Sequence, residues 1–195
     1  MIQIKNLIIG GGFIDPQLEK SLKAFPNKIY SSYGMTETLS HIAVRQLNGE
    51  KASEYYQPFG SVKISLSEEN TLIIDAPLVS NEKLITNDIA KIKKDGSFLV
   101  IGRKDNVINS GGVKVQPELI EEVLKPSMNG IFAISAVSDE KLGEAVVLVI
   151  EKDIKAEIDI FHPHYKPKKI IKIPSIPLTE TGKINRYKLK QLLQK

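Results

Sequence analysis

The sequence predicts a mixed α/β and α+β protein in two parts, and three observations predict it. A strand–helix–strand alternation opens the chain over residues 2–32. Short apolar runs broken by turn signals fill residues 42–101, the pattern of a small barrel or curled sheet. A dense polar knot, Gly102-Arg103-Lys104-Asp105-Asn106, then precedes further strands and two helices. Turn residues and charges crowded between two packable units mark a hinge. Residues 1–102 are therefore expected to form one domain, a partial β-α-β piece plus a small barrel, and residues 103–195 a smaller α+β domain.

The opening strand is read as Ile2–Ile9, mostly buried, and ends at Gly10-Gly11-Gly12. A helix follows to about Ala24, with Asp15 as N-cap and Pro16 at the first position, where a fixed φ suits the first turn. Lys28–Ser32 is the next strand. Ile42–Val44, Ser61–Leu66 and Thr71–Asp75 continue in β, with a turn at Glu68–Asn70. Ile89–Ile92 and Phe98–Ile101 form a hairpin across Asp95-Gly96, since glycine accepts the positive φ of such turns. After a second turn at Ser110-Gly111-Gly112, a helix starts at Pro117 and presents Leu119, Ile120, Val123 and Leu124 on one face. Phe132–Val137, Ala145–Glu151 and Lys168–Ile173 read as strands. A last helix is capped by Asn185 and turns Leu189, Leu192 and Leu193 inward.

Composition narrows the function classes. The 195 residues are 42% hydrophobic and 26% charged, ordinary for a globular chain able to bury a core. Without cysteine, a disulfide framework and a cysteine-based metal site are both excluded. No apolar run approaches the roughly 20 residues of a membrane span, and Leu7–Ile9 is too short for a signal peptide core, so a cytoplasmic address is expected. The net charge of +4 is uneven: from Pro163 onward lysines and Arg186 face one acid, Glu180. Such a tail attracts phosphates, whether of nucleic acid or of a cofactor such as ATP or CoA. Aromatic content of 6% is low for base stacking and weighs against RNA. His41, His162 and His164 have no zinc spacing, and His162 and His164 are read as surface residues.

Several stretches carry chemistry. Three glycines at a strand end, taken alone, are a turn, although they let a flat ligand approach the backbone. Ser31-Ser32-Tyr33-Gly34-Met35-Thr36-Glu37-Thr38 turns sharply after a strand and offers a ring, small hydroxyls and a carboxylate at one crevice. A threonine hydroxyl can donate to a phosphate oxygen, and a glutamate can ligate magnesium, which prefers oxygen. The Asp88 carboxylate can accept from both hydroxyls of a ribose. Taken alone, Arg103 and Asp105 are a surface ion pair, and Lys183 is a loop lysine.

Taken together, the Tyr-Gly-Met-Thr-Glu turn, Thr86-Asn87-Asp88, Gly102–Asn106 and Pro177-Leu178-Thr179-Glu180-Thr181-Gly182-Lys183-Ile184-Asn185-Arg186 resemble the motifs of the adenylate-forming superfamily, which includes acyl-CoA synthetases, luciferases and peptide-synthetase adenylation domains. The resemblance covers nearly the whole chain but only the later part of such an enzyme. Within the superfamily it is greatest to the o-succinylbenzoate–CoA ligases of menaquinone biosynthesis. It implies ATP-dependent carboxylate–CoA ligation, through an acyl-adenylate, with ATP/AMP, CoA and magnesium as cofactors and a small carboxylic acid as substrate.

The same resemblance assigns roles. Tyr33 stacks on adenine beside Gly34, Thr36 binds the α-phosphate, and Glu37 ligates magnesium. Gly11 and Gly12 line the adenine pocket; Asp88 and Arg103 hold the ribose. Asp105 is the pivot, Gly111 lies along the pantetheine arm of CoA, and Lys183 is the catalytic lysine of the mobile C-terminal lid. Ser40 and His41 fall where the family's acyl pocket lies. Pro58-Phe59-Gly60-Ser61 introduces the barrel and is structural. Asn87 departs from the family's usual glycine. Nothing in the sequence matches the family's upstream phosphate loop, so this chain is expected to be the C-terminal portion of a longer ligase, nearly inactive by itself. An N-terminal strand that is internal in the family is expected to expose a sheet edge, giving dimerisation or disorder in residues 1–35. Three other readings stay open: a peptide-synthetase adenylation domain, a non-catalytic nucleotide-binding module, and a small basic RNA-binding protein.

Overall fold

The computed structural model describes residues 4–12, 14, 16–152, 166–180 and 182–194. The expected N-cap Asp15, the expected surface histidines His162 and His164, and Thr181 of the lysine motif lie outside the described residues. The chain divides into two compact units, Met1–Lys104 and Asp105–Lys195.

The first unit opens with β1 (Asn6–Ile9), α1 (Pro16–Leu22) and β2 (Lys28–Gly34). β1 and β2 are parallel, as a β-α-β crossover requires. β3 (His41–Gln46) runs antiparallel to β2, and the two-residue β4 (Gln57–Pro58) closes a sheet of order β1-β2-β3-β4. β1 pairs on one side only, and Leu7 and Ile8 are 41% and 52% exposed. That corrects the reading of a mostly buried strand: the residues are apolar, but no described residue of the unit covers them. The sheet edge expected to be exposed is the edge observed.

Two polar side chains fasten this layer. Arg45 on β3 grips Glu19 of α1 with both guanidinium nitrogens, at 2.9 and 2.7 Å, and also donates to the Ser53 carbonyl. Buried Asn48 accepts from the Ile29 amide and donates to carbonyls at the α1–β2 turn, including Phe25 and Asn27. A buried polar group is tolerated only when its hydrogen bonds are satisfied, and these are.

The barrel piece is a four-stranded antiparallel meander: β5 (Lys63–Leu66), β6 (Thr71–Asp75), β7 (Leu84–Ile92) and β8 (Phe98–Arg103). Gly96, at φ 82°, turns β7 into β8 where the Asp-Gly signal stands. Asn70, at φ 62°, does the same between β5 and β6; asparagine tolerates that region better than other side chains. The meander packs Leu72, Ala90 and Phe98 against Ala43 of β3, joining the two sheets of this unit in one core. Phe98 is fully buried, which alone contributes about 2–3 kcal/mol.

The second unit begins with a 3₁₀ turn that closes at Asn106 and the hairpin β9 (Ile108–Ser110) and β10 (Val113–Val115). Gly111 and Gly112 both take positive φ, 58° and 84°, the geometry of a two-residue hairpin loop. α2 (Pro117–Leu124) then packs on β11 (Phe132–Asp139), which pairs with β12 (Gly143–Glu151); β13 (Lys169–Ile173) lies parallel to β12. α3 (Arg186–Leu193) is capped by Asn185, whose side chain accepts from the Lys188 amide. Two apolar clusters lie on either face of this sheet. One gathers Ile108, Ile120 and Leu124 over Ile134 and Leu148; the other gathers Ile176 and Leu189 over Val147 and Val149.

The helix faces differ from those expected. Pro117, Ile120 and Leu124 are buried, whereas Leu119 and Val123 face solvent, and Leu192 of α3 is half exposed. On an eight-residue helix over one sheet the buried stripe is narrow, and residues one step outside it fall on the rim.

Candidate functional site

Two strand irregularities build the centre of the site. β2 slips register against β3 between Tyr33 and Gly34, and β7 slips against β8 between Ile89 and Ala90. Such bulges re-aim side chains near functional sites. Here they bring together residues 55 positions apart: the Tyr33 hydroxyl donates to Asp88 Oδ2 at 2.5 Å. Arg103, directly opposite Asp88 in the β7–β8 pairing, donates from Nη1 to Asp88 Oδ1 at 3.3 Å. Both carboxylate oxygens are thus engaged, while the Arg103 side chain stays 52% exposed. Arg103 is therefore tied to Asp88, a fact that its reading as a surface pair with Asp105 did not supply.

The Tyr33 ring is held from behind. It meets Phe98 edge-on at 5.2 Å and Tyr56 at 5.8 Å, and Tyr56 in turn shares a hydrogen bond with Ser31. Burial, and then the facing Asp88 carboxylate, push the Tyr33 phenol far above its ordinary value, so it remains a donor throughout the physiological range.

Beyond Tyr33 the chain doubles back. A Cβ on Gly34 would sit 2.3 Å from the Ser40 carbonyl oxygen and 2.8 Å from His41 Cα, so only glycine fits. A 3₁₀ turn over Thr36–Thr38 follows, and Leu39 ends it in the left-handed region at φ 58°. Buried Thr38 pins this turn: its hydroxyl accepts from the Met35 amide and lies within 2.9 Å of the Met35 and Ser40 carbonyls. Thr36 and Glu37 remain exposed on the outside of the turn.

A cavity of about 280 Å³ opens here, lined by Gly11, Ser32, Gly34, Met35, Ser40 and His41. Gly10, just before it, approaches Ser32 so closely that a Cβ would fall 2.5 Å from the Ser32 hydroxyl. A larger hollow of about 550 Å³ lies between Ile4–Asn6 and Pro26–Lys28, where β1 and β2 begin. The smaller cavity lies at the carboxyl ends of these parallel strands, where α/β sheets bind ligands, and Ser32 and Gly34, the chain neighbours of Tyr33, line it. We take it as the candidate site.

The first unit therefore gathers Tyr33, Asp88 and Arg103 in one cluster and Gly11, Gly34, Ser40 and His41 around one cavity. Thr36 and Glu37 stand on the turn between Gly34 and Ser40, and Gly12 follows Gly11 in the chain. The remaining sequence-predicted residues belong to the second unit. Asp105 is exposed in its opening 3₁₀ turn. Gly111 donates its amide to the Leu142 carbonyl at 2.9 Å, and a Cβ there would meet Leu142 Cδ2 at 2.8 Å. Glycine is needed at this hairpin tip whatever passes over it. Lys183 is exposed at the end of a tight turn. Its amide donates to Thr179 Oγ1 at 3.1 Å, its carbonyl accepts from the Thr179 amide at 2.7 Å, and Gly182 supplies a positive φ of 76°.

Sequence reading missed the residues that hold these in place. Arg186 is the clearest: its guanidinium bonds Glu121 at 2.6 Å and the Ile134 carbonyl at 3.1 Å, and lies 3.5 Å from Glu118. Glu118 also accepts from Asn106 and Gln116. Burial alone would lower the Arg186 pKa, but the charge and hydrogen bond of Glu121 together with the Glu118 charge outweigh it and push it up. Other tail cations are similarly partnered, Lys168 by Asp139 and Lys190 by Glu144, so part of the basic tail is neutralised from elsewhere in the unit. Arg186 does stand in the lysine motif and Thr38 in the Tyr-Gly turn, although neither was given its structural role there; nothing in the sequence pointed to Tyr56 or Phe98 as supports of Tyr33.

Among the described residues there is no group of three or more His, Asp or Glu side chains arranged to hold a metal. A lone exposed carboxylate such as Glu37 fits magnesium, which keeps several waters and binds largely through nucleotide phosphates. No helix of the described residues is long and apolar enough to cross a membrane.

No family model matches the chain. The 2-succinylbenzoate–CoA ligase of Staphylococcus epidermidis is 30% identical over 96% of this chain and 46% of its own length. The Lactococcus lactis enzyme of the same name is 25% identical over 96% and 47%. The chain resembles the C-terminal part of the adenylate-forming acyl-CoA synthetases. An AMP-forming acyl-CoA synthetase-like protein from Dyadobacter fermentans aligns with 97% of the chain and 58% of its own, at 31% identity and a TM-score of 0.53. The o-succinylbenzoate CoA synthetase of Bacillus subtilis, solved with its acyl-adenylate intermediate, aligns with 97% of the chain and 46% of its own at a TM-score of 0.79; at 21% identity it speaks for the fold alone. The chain spans about half the length of the curated ligases that it matches.

Proposed function

We propose that this chain supplies the adenosine-facing crevice and the lysine-bearing lid of an ATP-dependent carboxylate–CoA ligase, with o-succinylbenzoate as the acid. The observation that carries this reading is the convergence of Tyr33, Asp88 and Arg103 in one cluster, with Tyr33 opening the turn whose Gly34, Ser40 and His41 line a cavity. The names of the curated relatives support the choice of acid.

In this reading the acid's carboxylate oxygen attacks the α-phosphorus of ATP, the bond to the β-phosphate oxygen breaks, and pyrophosphate leaves. The CoA thiolate then attacks the acyl carbonyl, and AMP departs with the oxygen it gained. Asp88 accepts hydrogen bonds from the ribose hydroxyls, with Arg103 holding one of its oxygens in place. Tyr33 presents its ring to adenine, backed by Phe98 and Tyr56. Thr36 donates to the α-phosphate from a turn that Thr38 fixes. Glu37 would hold a magnesium ion, which when bound offsets phosphate charge. Lys183 places an ammonium against oxygens that gain charge at the α-phosphorus, the kind of preorganised electrostatic help that contributes most to such transfers.

Residues 1–102 form the adenylate-binding part in this reading, and residues 103–195 a lid that pivots at Asp105 between the two half-reactions. The Gly111 hairpin faces CoA in the second. The location is cytoplasmic, with ATP and CoA. For the chain by itself, the open edge of β1 with exposed Leu7 and Ile8 favours self-association into a dimer.

Grafting tests the activity. This sequence, substituted for the matching half of the Staphylococcus epidermidis ligase, is expected to support o-succinylbenzoate-dependent pyrophosphate release. Lys183→Ala in that graft should lower the rate at least about 100-fold, the loss typical of a key charge-stabilising group. A folded graft with no such activity, or one indifferent to Lys183, would count against the proposal.

A further inference from the structure

Tyr33 has so far been given one duty, its ring; its hydroxyl has none. Yet that hydroxyl makes the tightest contact of the Asp88 carboxylate, 2.5 Å to Oδ2, while Arg103 holds Oδ1 at 3.3 Å. The two donors come from different strands, β2 and β8, and reach the two oxygens separately. An ionised carboxylate has about four acceptor sites. With one donor on each oxygen, each keeps capacity for another, and the plane of the group is fixed. The Asp88 side chain is only 14% exposed, so its remaining acceptor capacity opens in a narrow direction. The phenol that sets this plane is itself packed against Tyr56 and the fully buried Phe98. A core tyrosine that needed only a partner could take any carbonyl; this one takes a carboxylate that Arg103 also holds.

We propose that the Tyr33 hydroxyl is a positioning group that fixes the Asp88 carboxylate to receive two neighbouring hydroxyls, and so makes this site selective for a sugar with an intact 2′,3′-diol. The inference rests on the ribose reading of Asp88 given above and assigns the source of its selectivity. The ring and the hydroxyl of Tyr33 then do separable things: one meets the base, the other orients the group that reads the sugar.

Calorimetric titration of the chain with AMP, 2′-deoxy-AMP and 3′-deoxy-AMP tests it. The unaltered protein is expected to bind AMP at least about 10-fold more tightly than either deoxynucleotide. Tyr33→Phe, which keeps the ring, should weaken AMP about 10-fold while leaving the deoxynucleotides within about 2-fold, so the preference collapses. Asp88→Asn is the control for the underlying reading and should abolish the preference as well. If Asp88→Asn removes selectivity and a folded Tyr33→Phe keeps it, the hydroxyl is merely structural and the proposal fails alone. If the unaltered protein shows no diol preference, or Asp88→Asn changes nothing, the ribose reading fails and takes the proposal with it. A measurement on the unaltered protein covers the case in which Tyr33→Phe does not fold. The Tyr33 hydroxyl proton, held against a carboxylate, should give a downfield resonance that AMP shifts and 3′-deoxy-AMP does not. Equal shifts with both nucleotides would overturn the proposal.

Discussion

Tyr33 and Asp88 show how much of a site depends on single atoms. The phenol is held above its ordinary pKa by burial and by the Asp88 charge. A group whose folded pKa is raised gives stability that is fully present below the unfolded value, about 10 for tyrosine, and lost as pH rises above it. Alkaline unfolding of the chain should therefore steepen above about pH 10, and Tyr33→Phe should remove part of that slope. Urea midpoints at pH 8 and pH 10.5 would show it; parallel changes in the two proteins would mean that Tyr33 does not titrate late. This contact was not legible in the sequence. Tyr33 was singled out for its place in a motif, and Asp88 for its own, but what puts them 2.5 Å apart is a bulge in each of two strands. A one-residue slip in register leaves no mark on local residue pattern.

At the scale of elements, short turns were the most legible features and helix faces the least. Gly96, Gly111 and Gly182 all take the positive φ expected of a turn glycine. Gly34 is different: its need for glycine comes from the Ser40 carbonyl across the turn, a steric fact visible only in three dimensions. Gly34→Ala should cost roughly 2–3 kcal/mol, the upper range for forced overpacking, and speed amide exchange across Met35–Ser40. Unchanged stability in a thermal melt would mean that the turn is looser than described. In the second unit, Arg186 ties α3 and the Lys183 turn to α2 and β11, with Glu121 only 12% exposed. Glu121→Gln leaves the guanidinium with only the more distant Glu118 as a charged partner, and the loss should be about 2–4 kcal/mol. Replacing Arg186 and Glu121 together by apolar residues should cost less than either single change. If the two single losses simply add, the pair is not coupled. Leu119 and Val123 carry the complementary lesson. Periodicity gave α2 its boundaries, but which residues of a broad apolar arc touch the sheet is set by packing.

At the scale of the whole molecule, the polar knot puts the division between residues 102 and 103, and the boundary of the two compact units falls between Lys104 and Asp105. Each unit has apolar clusters of its own. The architecture was legible because strands and turns announce themselves locally; the open edge of β1 followed only from the resemblance, and its apolar run was misread as buried because apolar residues look buried until their neighbours are known. The account as a whole claims that Gly34, Thr36, Asp88 and Arg103 surround one nucleotide. Amide shift mapping of the ¹⁵N-labelled chain during an AMP titration tests that most directly. The account predicts saturable shifts at Gly34 through His41, at Asp88 and at Arg103, with the hollow at Ile4–Asn6 silent. Shifts confined to that hollow, or the absence of saturable shifts altogether, would contradict it.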